Sequence, residues 1–483
     1  MTALIGIDIG TTAVKAAMTD LGGHRLAEFA ASYPMARPGP GLAEQAPADW
    51  WALVQAALAG FAGHPAAGEV AAIGVTSQVN THVFVGAGLE PLAPAITWQD
   101  TRAAAQGAAL DARLTVEDKI AALGAPMPID GGHALARMEW MAENAPGVWA
   151  RTERVLAPKD WIIARLTGRV VGDPISSVGL VGTDLAYAAP VLALVGRASA
   201  VLPPLADPLG IAGAVAEGPF AGVPVAVGTM DAWASMFGVG VAGEGQAMNL
   251  SGTSEVLGLI SATRHPVPGA ITFAPWRGIT LHAGPTAAGG AALDWIARVL
   301  ARTPAEAAAL AETAPLRDDS PLFLPHLNGE RAPLWDAQAR GTFAGLTAAD
   351  GAAEMVLAVM EGVAFSARLA LATLEAAGGS RPALVHGGGG GTGSNLWCRL
   401  RADAFGRPFA RMAARDAGAV GALVMAGVAA GLIPDLAAAA AALVPVDRVF
   451  EPSAEGAARA DRRFALWRAL YDGVRPVNAG LAG

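Results

Sequence analysis

LIGIDIGTTAVKAAMT (residues 4–19) runs from an apolar stretch through a break of glycine and threonine into a second apolar stretch. That order reads as a strand, a tight turn and a returning strand. The same order recurs in QAMNLSGTSEVLGLI (246–260), where Ser251-Gly252-Thr253-Ser254 makes the break. Each copy opens a long passage of short apolar strands alternating with alanine-rich helices, which predicts an α/β architecture. The repeat predicts two similar domains facing a central cleft, joined through Val241-Ala242-Gly243-Glu244-Gly245. Domain limits follow at 1–244, 245–440 and, for one or two closing helices, 441–483.

Working outward, Asp49–Ala62 has helical apolar spacing with Asp49 at the N-cap. Val70–Thr76 is a short buried strand that runs into a polar loop, Ser77–His82. Val223–Val227 is another strand, followed by Gly228-Thr229-Met230-Asp231 and a small-residue helix. Leu436–Val444 is an alanine-rich helix capped by Asp435. Ala417–Ile433 is uncharged and approaches the ~20 residues of a membrane span. Its four glycines and its small side chains read instead as a buried helix.

A chain of 483 residues exceeds one ordinary core. With 53% hydrophobic and 16% charged residues, it can fill large cores and lacks a disordered composition. A net charge of −9 without clustered Lys and Arg excludes a nucleic-acid or anionic-membrane footprint. Phosphate binding must then come from backbone amides, a metal and a few local cations. The single cysteine, Cys398, allows no intramolecular disulfide, and the opening residues lack a signal-peptide pattern, so a cytoplasmic protein is expected.

Four segments carry chemistry. In Asp8-Ile9-Gly10-Thr11-Thr12, with Lys15 following, glycine permits a positive φ and a close phosphate, the threonines add hydroxyls and Lys15 a charge. A carboxylate beside such a nest calls for a divalent cation between them. An ordinary hairpin turn is the plain alternative. Ser251–Ser254 offers the same donors without a carboxylate, and the pairing of the two hairpins suggests a phosphate clamp. Five consecutive glycines, Gly387–Gly391, close an apolar strand ahead of a helix starting near Asn395. Backbone meeting a flat ligand explains that entropic cost better than a flexible linker does. Asp231 ends a strand with no Lys or Arg beside it in sequence, which suits a substrate hydroxyl or a helix N-cap.

Taken in order, these segments resemble the FGGY family of carbohydrate kinases, kin of actin, hexokinase and the heat-shock chaperone ATPases. The likeness spans nearly the whole chain through GIDIGTTAVK, EQAPADWW (44–51), ITWQDTRA (96–103), LAPKDWIIARLTG (156–168), VGTMDAWASMFGVG (227–240), LSGTSE (250–255), FLPHLNGERAPLWDAQARGTFAGL (323–346) and HGGGGGTGSNLW (386–397). It implies two actin-like, ribonuclease H-like domains that use ATP and Mg²⁺ to phosphorylate a small sugar. It implies Asp231 as the base for the sugar hydroxyl and Asp8 as the carboxylate that helps hold Mg²⁺. Gly10, Thr11, Thr12 and Lys15, with Gly252, Thr253 and Ser254, match the phosphate-binding loops. Gly387, Gly388, Gly389, Gly390 and Asn395 match the adenosine-binding run.

The order of motifs is most similar to that of the xylulokinases, which implies phosphorylation of D-xylulose to xylulose 5-phosphate. Another pentulose, hexulose or polyol is the alternative. Where xylulokinases carry Gln-Met-His this chain has Gln78-Val79-Asn80, and where they place Asn after the base it has Ala232. Val79 and Asn80 are therefore the expected sugar contacts, with His82 as a partial stand-in for the missing histidine. Glu330 and Arg331 read as a structural ion pair. The expected partners are the sugar and MgATP, with a homodimer left open. An actin-like nucleotide-switched binding protein is the rival from another class, and Asp231 argues against it.

Overall fold

A computed structural model of the chain describes residues 1–265, 267–413 and 416–482, which pack as two units. The first unit comprises Met1–Gly238 and Asp416–Val444, the second Val239–Arg415 and Pro445–Gly483.

In the first unit, β1 (Ala3–Ile9), β2 (Ala13–Asp20), β3 (Arg25–Ser32), β4 (Val70–Ser77), β5 (Ile211–Ala214) and β6 (Pro224–Ala226) form one sheet in the order β3-β2-β1-β4-β6-β5. β1 is antiparallel to β2, with Asp8 opposite Lys15, and parallel to β4, with Asp8 beside Thr76. Every residue of β1 except Asp8 is buried, which is why its sequence is an unbroken apolar run around one carboxylate. Helix α1 (Pro47–Ala62) drives Trp50, Val54 and Phe61 into the same core. Asp49 does not cap it. Ala46 holds that place without a side-chain bond, and Pro47 opens the helix, where its missing N–H would have had no partner anyway. Asp49 sits instead in the first turn, where the helix dipole favours a negative charge. Helices α2 (Pro158–Thr167) and α3 (Asp231–Gly238) belong to the same unit.

The second unit carries β7 (Ala247–Ser251), β8 (Glu255–Ile260), β9 (Ile271–Thr272), β10 (Leu281–Pro285), β11 (Val385–Gly388), β12 (Phe409–Met412) and β13 (Val446–Phe450), ordered β9-β10-β8-β7-β11-β12-β13. Both sheets share one kernel. Three antiparallel strands (β3-β2-β1 and β10-β8-β7) continue into parallel ones (β4, β6 and β11, β12). The duplicated hairpin in the sequence is thus a duplicated fold. Helices α4 (Gly290–Val299), α5 (Ala352–Gly378) and α6 (Asn395–Phe405) flank the second sheet. Among the described residues α5 alone is long and apolar enough to cross a membrane, and 78% of its most apolar window is buried inside the protein.

The expected limits at 244/245 and 440/441 differ from this packing in kind. Segment 416–444 leaves its sequence neighbours and joins the first unit, while 445–483, including β13 and α9 (Ala454–Ala482), stays with the second. The cause is steric fit. Helix α7 (Ala417–Ala429) lies flat on the first sheet, because a Cβ on Gly6 of β1 or on Gly74 of β4 would stand 2.0 Å from its carbonyls at Ala419 and Ala422. A Cβ on its own Gly421 would lie 1.6 Å from Ala234 O of α3. Small residues all round let one helix touch two strands and a second helix at once, as expected of a helix buried on every side. Helix α8 (Leu436–Leu443) follows, and Asp435 caps it by accepting the Ala438 amide at 2.7 Å.

Candidate active site

Asp8 interrupts the apolar run of β1, and its Oδ1 is shielded from solvent without a hydrogen-bond partner among the described residues. Helix α7 closes against it, since a Cβ on Gly418 would lie 2.3 Å from Asp8 Oδ2. Burial foremost, then the charge of Asp231, pushes the Asp8 carboxyl up to about 7, against an opposing pull from Lys15. Lys15 itself pairs with Asp416 at 3.2 Å, so part of the cation expected for phosphate is engaged by the residue ahead of α7.

The turn after Asp8 closes through Gly10 N donating to Ala13 O at 3.1 Å. Gly10 does not take the positive φ expected of it, nor does Gly252. What holds the turn is a set of donors aimed at its oxygens. The Tyr33 hydroxyl donates to Gly10 O, Gln45 Nε2 to Thr11 O at 2.7 Å, and Trp98 Nε1 to Thr11 Oγ1 at 2.9 Å. Gln78 Nε2 in turn donates to Gln45 Oε1 at 2.7 Å. With its oxygens tied inward and Thr12 exposed at the tip, the turn offers donors outward, the polarity a phosphate needs.

Asp231 arrives by a tight path. Gly228 has φ +64°, and a Cβ there would lie 2.3 Å from Val75 O, so no other residue fits. Met230 then bridges Ser77, and α3 begins at Asp231. The carboxylate accepts the amide of its neighbour Ala232 at 2.8 Å, whereas an N-cap engages amides two or three residues ahead. Burial raises it to about 6. Two mutually repelling carboxylates, one with an orphaned oxygen, form a local excess of negative charge on β1 and α3.

The loop after β4 is held by Arg137, which is fully buried. Its guanidinium donates to Asn80 O, to Ile96 O at 3.0 Å, to Thr97 O at 2.5 Å and to His82 Nδ1 at 2.8 Å. His82 is therefore neutral, its pKa driven well down by burial and Arg137; its Nδ1 is spent on the protein, which weakens it as a stand-in sugar ligand. Asn80 stands at φ +48°, half-buried beside Val79. Among the described residues its side-chain amide has no hydrogen-bond partner, which leaves it available.

In the second unit the hairpin between β7 and β8 exposes Gly252 and Thr253 at its tip, with Ser254 half-buried. Gly290 N donates to Gly252 O at 2.8 Å, and Ala291 N to Thr253 O at 3.0 Å, so α4 starts directly on the hairpin. Beneath it Glu255, fully buried, takes Ser251 Oγ at 2.7 Å, Asn249 Nδ2 at 3.0 Å and the Arg401 guanidinium. The glycine run crosses here. A Cβ would stand 2.2 Å from the Phe409 ring at Gly387, 2.5 Å from Ser251 O at Gly389 and 2.0 Å from Ser251 Oγ at Gly391. Protein packing alone leaves no room for a side chain at those three glycines; open space remains at Gly390, which is exposed. Gly388 ends β11, and Asn395 opens α6 with its Oδ1 accepting from Arg411 at 3.0 Å. Glu330 is buried on His326 Nδ1 at 2.8 Å and on the Ala287 amide, and Arg331 reaches Ser254 Oγ at 3.2 Å and Thr286 O at 2.6 Å.

One unit thus carries two carboxylates and a donor turn, and the other a second donor turn and a glycine run. Residues 3–238 match the N-terminal domain, and residues 247–430 the C-terminal domain, of the FGGY family of carbohydrate kinases. The chain belongs to that family. It is 30% identical to a xylulose kinase of Escherichia coli (strain K12), over 98% of this chain and all of the relative. It is equally 30% identical to a glycerol kinase of Aromatoleum aromaticum, over 98% of this chain and 99% of the relative. Ligand-bound xylulose kinase from Lactobacillus acidophilus superposes with a TM-score of 0.89 at 26% identity over all of both chains. Xylulose kinase from Rhodospirillum rubrum gives 0.86 at 28% over 99% of this chain and all of that one. This FGGY protein is thus a carbohydrate kinase, an enzyme of a family that uses ATP.

Several residues around the candidate site escaped sequence reasoning. Gln45, Tyr33 and Trp98 reach the first turn from remote segments, with Gln78 behind Gln45, and only the structure brings them together. Arg137 could have been suspected as an arginine on an otherwise apolar helical face. The adjacent pair Lys159-Asp160 near the start of apolar α2 was equally conspicuous.

Proposed function

We propose that the protein transfers the γ-phosphoryl group of MgATP to a terminal hydroxyl of a small ketose in the cytoplasm, converting D-xylulose to xylulose 5-phosphate. The observation that carries this reading is the placement of Asp231. It heads α3 with a carboxylate that accepts its neighbour's amide, near enough to Asp8 for the two charges to interact. In the transfer, the sugar oxygen forms a bond to phosphorus, the bond from phosphorus to the ADP oxygen breaks, and the hydroxyl proton passes to Asp231. A carboxyl raised to about 6 remains ionised at neutral pH and is a stronger base than an ordinary aspartate.

Bound Mg²⁺ supplies charge neutralisation for the phosphates. The orphaned Asp8 Oδ1 is the oxygen that fits it. No group of three or more His, Cys, Asp or Glu gathers among the described residues, which suits an ion that keeps waters and phosphate oxygens as its other ligands. Thr11 and Thr12 on the first turn, and Gly252, Thr253 and Ser254 on the second, supply hydrogen bonds to phosphate oxygens. Gly390 in the glycine run and Asn395 at the head of α6 contact the nucleotide in this reading. Such catalysis is positioning and charge stabilisation more than covalent work. Val79 and Asn80 contact the sugar in this reading, and the unpartnered Asn80 amide supports that assignment.

The xylulose kinases among the relatives support a pentulose, and the glycerol kinase of equal identity makes a polyol the competing substrate. Coupled ADP release measured across pentuloses, hexuloses and alditols, glycerol included, decides between them. The highest kcat/KM is expected for D-xylulose; a higher value for glycerol or a hexulose would overturn the pentulose assignment.

A further inference from the structure

The turn that delivers Asp231 is backed by charges that no step above uses. Lys159 and Asp160 open α2 with 0% and 4% of their surface exposed. The Lys159 ammonium lies 2.9 Å from Asp173 Oδ2 and 2.5 Å from Asp160 Oδ1, and donates to Val227 O at 3.3 Å. Asp173, with 1% exposed, turns its other oxygen to the amides of Ile175 and Ser176, at 3.0 and 2.9 Å, and to Thr229 Oγ1 at 2.9 Å. Thr229 O accepts from Thr76 Oγ1 at 2.6 Å. Lys159 N donates to Ser77 Oγ at 3.1 Å, and Ser77 is the residue that Met230 bridges.

Three polar groups of the turn are therefore gripped: Val227 O by the ammonium, Thr229 Oγ1 by Asp173 and Thr229 O by β4. Burying one cation with two anions is costly, and apolar residues of similar volume often stabilise a core as well or better. A packed apolar plug would hold the turn in place but would not fix its direction. Directional bonds at Val227 and Thr229 do, four and two residues before the carboxylate. In a reaction governed by placement, an error of ~1 Å costs as much as ~10²-fold in rate.

We propose that Lys159, Asp173 and Thr229 are positioning residues, a buried charge relay that aims Asp231 at the sugar hydroxyl. The inference rests on Asp231 being the base. Its most delicate link is the Thr229 hydroxyl, because Thr229→Val keeps the shape and removes the bond to Asp173. Expected for Thr229→Val is a kcat lowered ~10- to 10²-fold, with KM for ATP and sugar within about twofold, and recovery of most of the loss in Thr229→Ser. In an Asp231→Asn background, Thr229→Val should lower kcat no further, because residues acting through one group are non-additive. Parental kcat in Thr229→Val, with only its melting temperature reduced, would overturn the inference and leave the base assignment standing. An equal further loss in the Asp231→Asn background would also overturn it. Should Asp231→Asn alone retain kcat, the base assignment fails and takes this inference with it. If Thr229→Val does not fold, Thr229→Ala removes the same hydroxyl without overpacking and is read by the same criteria.

Discussion

Asp231→Asn separates chemistry from stability in one variant. Asn keeps the size of the side chain and the Oδ1 that accepts the Ala232 amide at 2.8 Å, but it cannot take a proton. Loss of a general base costs ~10²–10⁴-fold in rate, so kcat should fall by that factor while ATP binding persists. Stability should move the other way. The native state lifts this carboxyl from 3.8 to about 6 by burial, so the folded protein disfavours its charged form. At ~1.4 kcal/mol per unit, relief of that penalty is worth about 1–3 kcal/mol, the lower figure allowing for the solvent that reaches a half-buried group. At ~2–4 °C per kcal/mol for a unit of this size, the variant should melt a few degrees above the parent. The sign is specific to pH. The gain is complete above the folded value near 6, fades as pH falls toward 3.8 and is gone below it, where both states of the parent are protonated. Thermal scans from pH 4 to 8, beside kcat from coupled ADP release, test both halves. A folded variant with near-parental kcat refutes the base, and a variant that melts lower at pH 8 refutes the electrostatic account.

The same pKa values predict that kcat/KM of the parent declines below about pH 6–7, as Asp231 and Asp8 protonate; a flat profile down to pH 5 would contradict it. The parent should melt higher with Mg²⁺ and ADP, and Asp8→Asn should abolish that rise and raise the Mg²⁺ needed for half-maximal rate; an unchanged Mg²⁺ response argues that Asp8 is no ligand. Asn80→Ala should leave one bound hydroxyl unpaired, costing ~1–3 kcal/mol in kcat/KM for some sugars and not others, with KM for ATP unchanged; equal losses across all sugars would deny it a role in specificity. Gly74→Ala places a Cβ 2.0 Å from Ala422 O, so overpacking should destabilise the first unit by ~1–3 kcal/mol, read as a lowered urea midpoint, which an unshifted midpoint would exclude.

What the sequence made legible was whatever its local grammar encodes. The two hairpins, the strand entering Asp231, the start of α6 and the Asp435 cap are short-range patterns, and all stand where the residues put them. The family likeness rested on ordered motifs, and both domain matches agree with it. Illegible were the features made by residues far apart. Nothing in Ala417–Ala429 announces that it packs on Gly6 and Gly74. The glycine run was read as ligand space, whereas Phe409 and Ser251 claim most of it. Asp49 looked like a cap because its spacing ignores the proline two residues earlier.

The return of Asp416–Val444 to the first unit sets an order for folding during synthesis. The first sheet, with its groove over Gly6 and Gly74, is complete once Gly238 has been made, but the helix that fills it emerges only after the 177 residues Val239–Arg415. At translation rates of ~5–20 residues per second, that bare apolar face waits roughly ten to thirty-five seconds on the ribosome. The nascent chain is then an unfinished sheet tethered to a second unit that is itself still forming, the kind of surface that chaperones bind. A fragment ending at Gly238 would keep that groove open permanently, whatever catalytic residues it contains.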